Sequence, residues 1–146
     1  MIMELFVLCG IPASGKTTLG KQLAAQHNAV LHSIDEIPGS WGKPDIDGRI
    51  RRQWIEGIVE DLRKGNSVIC DSLALNSFSR RWMLHVFSSF DCKKIIVVKT
   101  TSAEECIRRN AARGSKVPEE HIKRCAMAME PPTPGEGWDE IKEVST

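Results

Sequence analysis

Short apolar runs alternate along this chain with stretches whose apolar residues recur every three or four positions. Runs that end in polar or glycine-containing turns occur at Leu5 to Cys9, Val30 to His32, Ser67 to Cys70 and Ile95 to Val98. Each has the length and content of a strand buried on both faces. Between them lie helical patterns at Thr17 to Gln26, at Ile50 to Lys64, where Trp54, Ile58 and Leu62 stand four apart, and from about Arg80 to Phe87. Ser102 and Glu105 have the spacing of a capping box, Gly65 can stop the Ile50 helix, and Pro118 followed by Glu119 and Glu120 opens another. That last helix carries Ile122, Cys125, Ala126 and Met129 on one face. Pro131 to Gly137 reads as a loop, and Trp138 to Val144 as a short final strand or a packed tail. Strands alternating with helices over 146 residues predict one three-layer α/β domain, a parallel sheet of about five strands with ligands at its C-terminal edge.

Composition narrows the class. Apolar residues make up 41% and charged residues 27%, as in a soluble globular protein, and no apolar run approaches a membrane span. Met1 leads into the Leu5 run without a basic leader, so a cytoplasmic location is the expectation. The five cysteines are scattered without zinc-site spacing, which reads as small buried residues in a reducing compartment. Net charge is only +1, yet residues 49 to 124 hold 16 Lys/Arg against 9 Asp/Glu, and both ends are acidic. A basic middle suits an anionic ligand, either nucleotide phosphates or a nucleic-acid backbone.

Gly10-Ile11-Pro12-Ala13-Ser14-Gly15-Lys16-Thr17 matches G-x-x-x-x-G-K-[ST] at every fixed position, between a predicted strand and a predicted helix. Its glycines allow a tight turn whose N–H groups converge on one concavity, beside the positive end of the following helix. The segment through Thr18 is the expected ATP site. Lys16 is expected to reach the β- and γ-phosphates and the Thr17 hydroxyl to ligate Mg²⁺. Asp71, closing the Val68-Ile69-Cys70 run, has the position to hold the metal through water, although a strand-end aspartate can equally cap a turn.

Asp35 lies just after the second strand, at the sheet edge shared with the phosphate loop. A carboxylate there can take the proton of an acceptor hydroxyl and orient it for attack; Glu36 next door is a rival, and a helix cap or a solvated acid is the plainer alternative. Arg109 and Arg113, four apart, share a helical face, so both can meet a phosphate while Arg108 turns away. They fall in an expected lid at about 108–118. A solvated basic helix end is the competing reading.

With these residues in place, the chain resembles, over nearly its whole length, the P-loop kinases grouped around polynucleotide 5′-hydroxyl kinase and seryl-tRNA(Sec) kinase. The more specific marks are the position of Asp35, Arg-Asn-x-x-Arg-Gly at Arg109 to Gly114, and Val117-Pro118-Glu119-Glu120 followed by Met129-Glu130-Pro131-Pro132-Thr133-Pro134. The resemblance implies that residues 1–146 form a single P-loop kinase domain. It carries over Lys16 and Thr17 as phosphate and Mg²⁺ contacts, Asp35 as general base, and Arg109 with Arg113 as lid arginines. Those kinases often read Asp-x-Thr-Asn or Asp-Thr-Asn after the third strand, where this chain has Asp71-Ser72-Leu73-Ala74. Polynucleotide kinases tend to place Arg soon after the base, where this chain has Pro38. The expectation is that the extra C-terminal domain with which seryl-tRNA(Sec) kinases grip tRNA is lacking here, which weighs against that specific assignment.

The segment from Pro38 to Arg52, with Trp41, Lys43, Arg49, Arg51 and Arg52, is the expected acceptor contact. Trp41 there can stack on a base or anchor local packing. Three functions fit: a kinase for a nucleic-acid hydroxyl, at a 5′ end or on a hydroxylated base; a kinase for a small metabolite, nucleoside or nucleotide; and an ATP-binding regulatory switch without transferase activity. The basic middle and the resemblance favour the first, the modest net charge the second; Asp35 and the lid arginines weigh against the third.

Overall fold

The computed structural model describes residues 2–40, 45 and 47–145. Five strands, β1 (Glu4–Cys9), β2 (Val30–Ser33), β3 (Val68–Asp71), β4 (Lys93–Thr100) and β5 (Glu140–Ser145), form one sheet in the order β2-β3-β1-β4-β5. All four pairings are parallel. Helices α1 (Lys16–His27), α2 (Arg49–Arg63), α3 (Ser77–Val86), α4 (Ala103–Ala112) and α5 (Glu119–Ala128) complete the described fold. The chain builds β2 and β3 on one side of β1, then crosses to β4 and β5, so a crevice opens at the C-terminal end of β1. Register aligns that edge: Asp71 stands opposite Leu8 on one flank and Ser33 on the other.

Side chains alternating along β1 supply both faces of the sheet. Leu5, Val7 and Cys9 join Trp54, Ile58 and Leu62 of α2 with Met83 and Phe87, whereas Phe6 and Leu8 join Leu19 and Leu23 of α1 with Ile69, Ile95 and Val97. The buried stripe of α2 is Ile50, Trp54, Ile58 and Leu62, as its period predicted, and Gly65, at φ 84°, follows the helix end. The C-terminal segment is the edge strand β5, the first of its two expected forms, and not a packed tail.

Three local departures have identifiable causes. Helix α3 begins at Ser77, before the expected Arg80, because the Asn76 side chain accepts from Ser79 N at 2.8 Å and caps it. Strand β4 extends to Lys93 and Thr100 because β1 and β5 both pair with it. Within Pro131 to Gly137 a 3₁₀ turn forms at Pro134–Glu136, fixed by a capping box between Thr133 and Glu136. At α4, Ser102 accepts from Glu105 N, while the Glu105 carboxylate pairs with Arg108 and Arg109.

Glu136 also closes an ion pair with Arg80, both side chains being almost wholly buried. Arg80 Nε and Nη2 donate to the two Glu136 oxygens at 2.9 Å each, Nη1 donates to Ala74 O at 2.8 Å, and Trp138 Nε1 donates to Glu136 Oε1 at 3.0 Å. Burial opposes both charges, but their mutual hydrogen bonds hold Glu136 below the usual carboxylate range and Arg80 above its ordinary value. Cys9, whose thiol burial pushes up to about 11, stays protonated and donates to the same Ala74 O at 3.1 Å. These bonds fix the loop after β3 where Ala74 takes the left-handed φ of 50°. Arg80→Ala leaves a buried carboxylate unpaired, so unfolding in urea is expected to lose about 3–5 kcal/mol of stability. A change within 1 kcal/mol of wild type, roughly surface-mutation scale, contradicts this.

Candidate active site

The phosphate loop leaves β1 under tight steric control. A Cβ on Gly10 would lie 3.0 Å from Ser14 Oγ and 3.3 Å from Lys99 O, and Gly10 N donates to Leu73 O at 3.1 Å. Ala13 and Gly15 take φ of 65° and 90°, and α1 starts immediately after, at Lys16. Left-handed residues alternating with right-handed ones turn successive N–H groups into one anion-binding concavity at the helix N-terminus. Ser14 Oγ is buried with no hydrogen-bond partner among the described residues. Leaving such a hydroxyl unpaired is costly, and a phosphate oxygen is the partner its position fits.

Three functional side chains meet beside this loop. Lys16 Nζ lies 2.8 Å from Asp71 Oδ1, and Thr17 Oγ1 donates to Asp71 Oδ2 at 2.9 Å. Asp71 is 2% exposed and closes β3, so the strand register brings it to the start of α1. A hydroxyl and a carboxylate are the hard oxygen donors that Mg²⁺ selects, and the pair therefore fits that ion.

Asp35 stands in a 3₁₀ turn, Ile34–Glu36, directly after β2. Partial loss of hydration raises its carboxyl above the ordinary value, with Lys16 opposing the rise and Asp71 adding to it. These charges act on it because all three groups converge on one edge. A cavity of about 350 Å³ is lined there by Ile11 to Thr18, Ile34, Asp35, Ser72, Leu73, Arg113, Lys116, Val117 and His121. Glu36 shares the turn and, like Asp35, has an exposed side, but only Asp35 lines the cavity.

The segment after α4 supplies the opposite wall. Asn110 is buried; its Nδ2 donates to Val117 O at 2.6 Å and its Oδ1 accepts from Val117 N at 3.1 Å. This clamp loops residues 111–116 back on themselves and carries Arg113, Lys116 and Val117 to the cavity. Arg109 meets the phosphate loop itself: Nη1 donates to Ser14 O at 3.2 Å and Nε to Glu105 Oε1 at 3.0 Å. Arg108, exposed on Glu105, turns away. The arginine pair is therefore divided, Arg113 on the cavity and Arg109 on the loop that forms it.

Lys116, His121, Ser72 and Leu73 belong to no chemical motif in the sequence, and the lid clamp and the β3 loop bring them to the wall. Asn110, polar on an otherwise amphipathic helix face beside Cys106, is the one available signal for the clamp. Of the expected acceptor contacts, Trp41 and Lys43 lie outside the described residues. Arg49 donates to Pro38 O and Gln53 Oε1, Arg52 is exposed on α2, and neither lines the cavity. A second cavity of about 400 Å³ adjoins the first, sharing Ile34, Ser72 and Leu73 with it.

Comparison with known proteins bears on the family and the fold. A family model described as an AAA domain matches residues 5–132. L-seryl-tRNA(Sec) kinase of Methanococcus maripaludis is 27% identical over 142 residues, which cover 92% of this chain and 56% of that protein. The chain thus spans about half the length of the curated relative it matches. Among solved structures, a chain of the Pnkp1/Rnl/Hen1 RNA repair complex superposes with a TM-score of 0.76 at 22% identity, covering 87% of this chain and 44% of that one. A gluconokinase from Sinorhizobium meliloti 1021 superposes at 0.69 with 18% identity, covering 99% and 83% respectively. These likenesses establish the fold as the α/β P-loop kinase type predicted from the alternating pattern. No helix among the described residues is long and apolar enough to cross a membrane.

Proposed function

We propose that this chain, which belongs to the AAA-domain family, is an ATP-dependent phosphotransferase that passes the γ-phosphate of ATP to a hydroxyl group of a nucleic acid. One observation carries the reading: the phosphate loop, Lys16, Thr17, Asp35, Asp71 and Arg113 converge at one sheet edge around one cavity. The likeness to L-seryl-tRNA(Sec) kinase supports a nucleic acid as acceptor, while the fold, shared with a chain of an RNA repair complex and with a gluconokinase, fits either acceptor class.

Each residue has a role that follows from its place. The backbone of residues 11–15 binds the β-phosphate, Ser14 Oγ gaining the partner it lacks, and Lys16 Nζ turns from Asp71 toward the transferring phosphoryl group. Thr17 and Asp71 would hold Mg²⁺, Asp71 through water; bound there, the ion neutralises charge developing on phosphate oxygens. Asp35 accepts the acceptor proton, and Arg113 and Lys116 approach from the lid, where their charge is strongest once water is excluded. Arg109 keeps Ser14 and its neighbours in the cradle's shape.

A pH dependence follows from Asp35. As the proton acceptor it works only when ionised, and its raised pKa moves the loss of activity upward in pH. The fall in kcat/KM on acidification is therefore expected above the pH of an ordinary aspartate, at saturating Mg²⁺. Asp35→Asn is expected to lack that limb in its residual activity, and an unchanged acid limb in the variant contradicts the assignment.

The acceptor class is tested with γ-labelled ATP against 5′-hydroxyl DNA and RNA, hydroxylated-base DNA, nucleosides and polyols. Label on a polynucleotide, with acceptor binding that weakens steeply as salt rises, supports the proposal. The net charge of only +1 favours a second reading, a small hydroxyl-bearing acceptor; label confined to small molecules, with little salt dependence, would establish it.

A further inference from the structure

We infer that the second cavity is the acceptor subsite and that it takes the flat ring of a nucleobase-bearing acceptor. This rests on the kinase reading above. Four observations support it, beginning with position. The cavity shares Ile34, Ser72 and Leu73 with the phosphate cavity, and Asp35 is the residue after Ile34. A molecule seated there presents a hydroxyl across that shared wall toward Asp35.

Its aromatic content is the second observation. Trp54, Phe78 and Trp82 line it in a protein with only 5% aromatic residues. Phe78 is 81% exposed, a large apolar face left to solvent at the cavity mouth. The third is charge laid against a ring: Arg51 Cζ lies 4.9 Å from the centroid of Trp82. A cation stacked on an indole forms a planar, electron-poor platform of the kind on which bases stack.

The fourth observation separates a ring from a polyol. Recognising several hydroxyls takes several uncommitted polar groups. Here Asn76 Oδ1 accepts from Ser79 N, Ser79 Oγ donates to Asn76 O, and Trp54 Nε1 donates to His32 O. Ser72 and the Asn76 amide nitrogen are left for a few polar contacts, and the rest of the wall is flat apolar surface and one guanidinium, which match the face and edge of a base with a neighbouring phosphate better than a row of hydroxyls. In the transfer itself the acceptor oxygen gives its proton to Asp35 and forms the new bond to the γ-phosphorus. The bond from that phosphorus to the β–γ bridging oxygen breaks, and ADP leaves with that oxygen.

The test uses the full chain with four acceptors: a 5′-hydroxyl oligothymidylate, the same oligomer with an abasic first residue, thymidine, and glycerol as a ringless alcohol. Trp fluorescence reports ring binding, and γ-labelled ATP reports transfer. The intact oligomer is expected to quench the fluorescence and to exceed the abasic one in kcat/KM by about tenfold or more. Phe78→Ala and, as a milder change to a partly buried residue, Trp82→Leu are each expected to raise its KM about tenfold while the KM for ATP moves less than about twofold. Thymidine, sharing the ring but lacking the chain, shows whether the ring suffices. Equal use of the abasic oligomer, or an unmoved KM in both variants, overturns the subsite. Quenching without transfer to any acceptor overturns the kinase reading alone, and transfer confined to ringless alcohols overturns the ring alone.

Discussion

Lys16→Ala is expected to lower phosphoryl transfer by about 10³-fold or more, because Lys16 supplies the one side-chain cation built into the phosphate loop. Its ammonium is almost buried and 2.8 Å from Asp71, so its charge acts where water screens little. The variant also leaves Asp71 with one partner fewer. Lys16→Gln, which retains the length of the side chain and a donor, separates the two effects. Single-turnover transfer is the readout, with thermal unfolding alongside. A loss of transfer in both variants, with Lys16→Gln folded, ties the effect to the charge; normal transfer in either contradicts its role.

Asp35→Asn is expected to cut kcat by about 10²–10⁴-fold, the range for a positioned general base. ATP should bind as tightly or slightly more tightly, because the change removes a negative charge from a cavity that receives phosphates. The contrast between turnover and binding is diagnostic, since a merely structural aspartate would weaken both. Glu36→Gln, altering the neighbour in the same turn that does not line the cavity, is expected to stay within about twofold of wild type. If the losses fall on Glu36 instead, the roles are exchanged.

The parts of this fold visible in the sequence are those with a local signature. The phosphate loop occupies eight consecutive residues, and the Ile50, Trp54, Ile58, Leu62 stripe follows helical period, so both were readable without tertiary information. The strand order was not, because short apolar runs say which segments are strands and nothing about neighbours. Arg80 and Glu136 lie 56 residues apart, and each alone resembles a surface charge; only the fold shows them buried together. The left-handed Ala13 and Ala74 carry no mark, since alanine gives no hint of positive φ.

The candidate site divides the same way. Lys16 and Thr17 follow from the phosphate-loop motif, Asp35 and Asp71 from strand ends, which is a topological rule. The acceptor contacts drew on composition, and a basic run does not say which side chain turns inward. Arg51, three residues before Trp54, lies on the same side of α2 as that buried anchor, whereas Arg49 and Arg52 do not line the second cavity. Helical spacing from Trp54 was the available clue.

Label transfer decides most about the proposed chemistry. The wild-type chain, Mg²⁺ and γ-labelled ATP are incubated with a 5′-hydroxyl oligonucleotide, with Lys16→Ala as control, and the oligonucleotide is separated and counted. Phosphoryl transfer at this site predicts label on the oligonucleotide with the wild type and none with the control. Tight ATP binding with no label on that oligonucleotide, nor on any other hydroxyl acceptor, would contradict it and leave a nucleotide-binding protein without transferase chemistry.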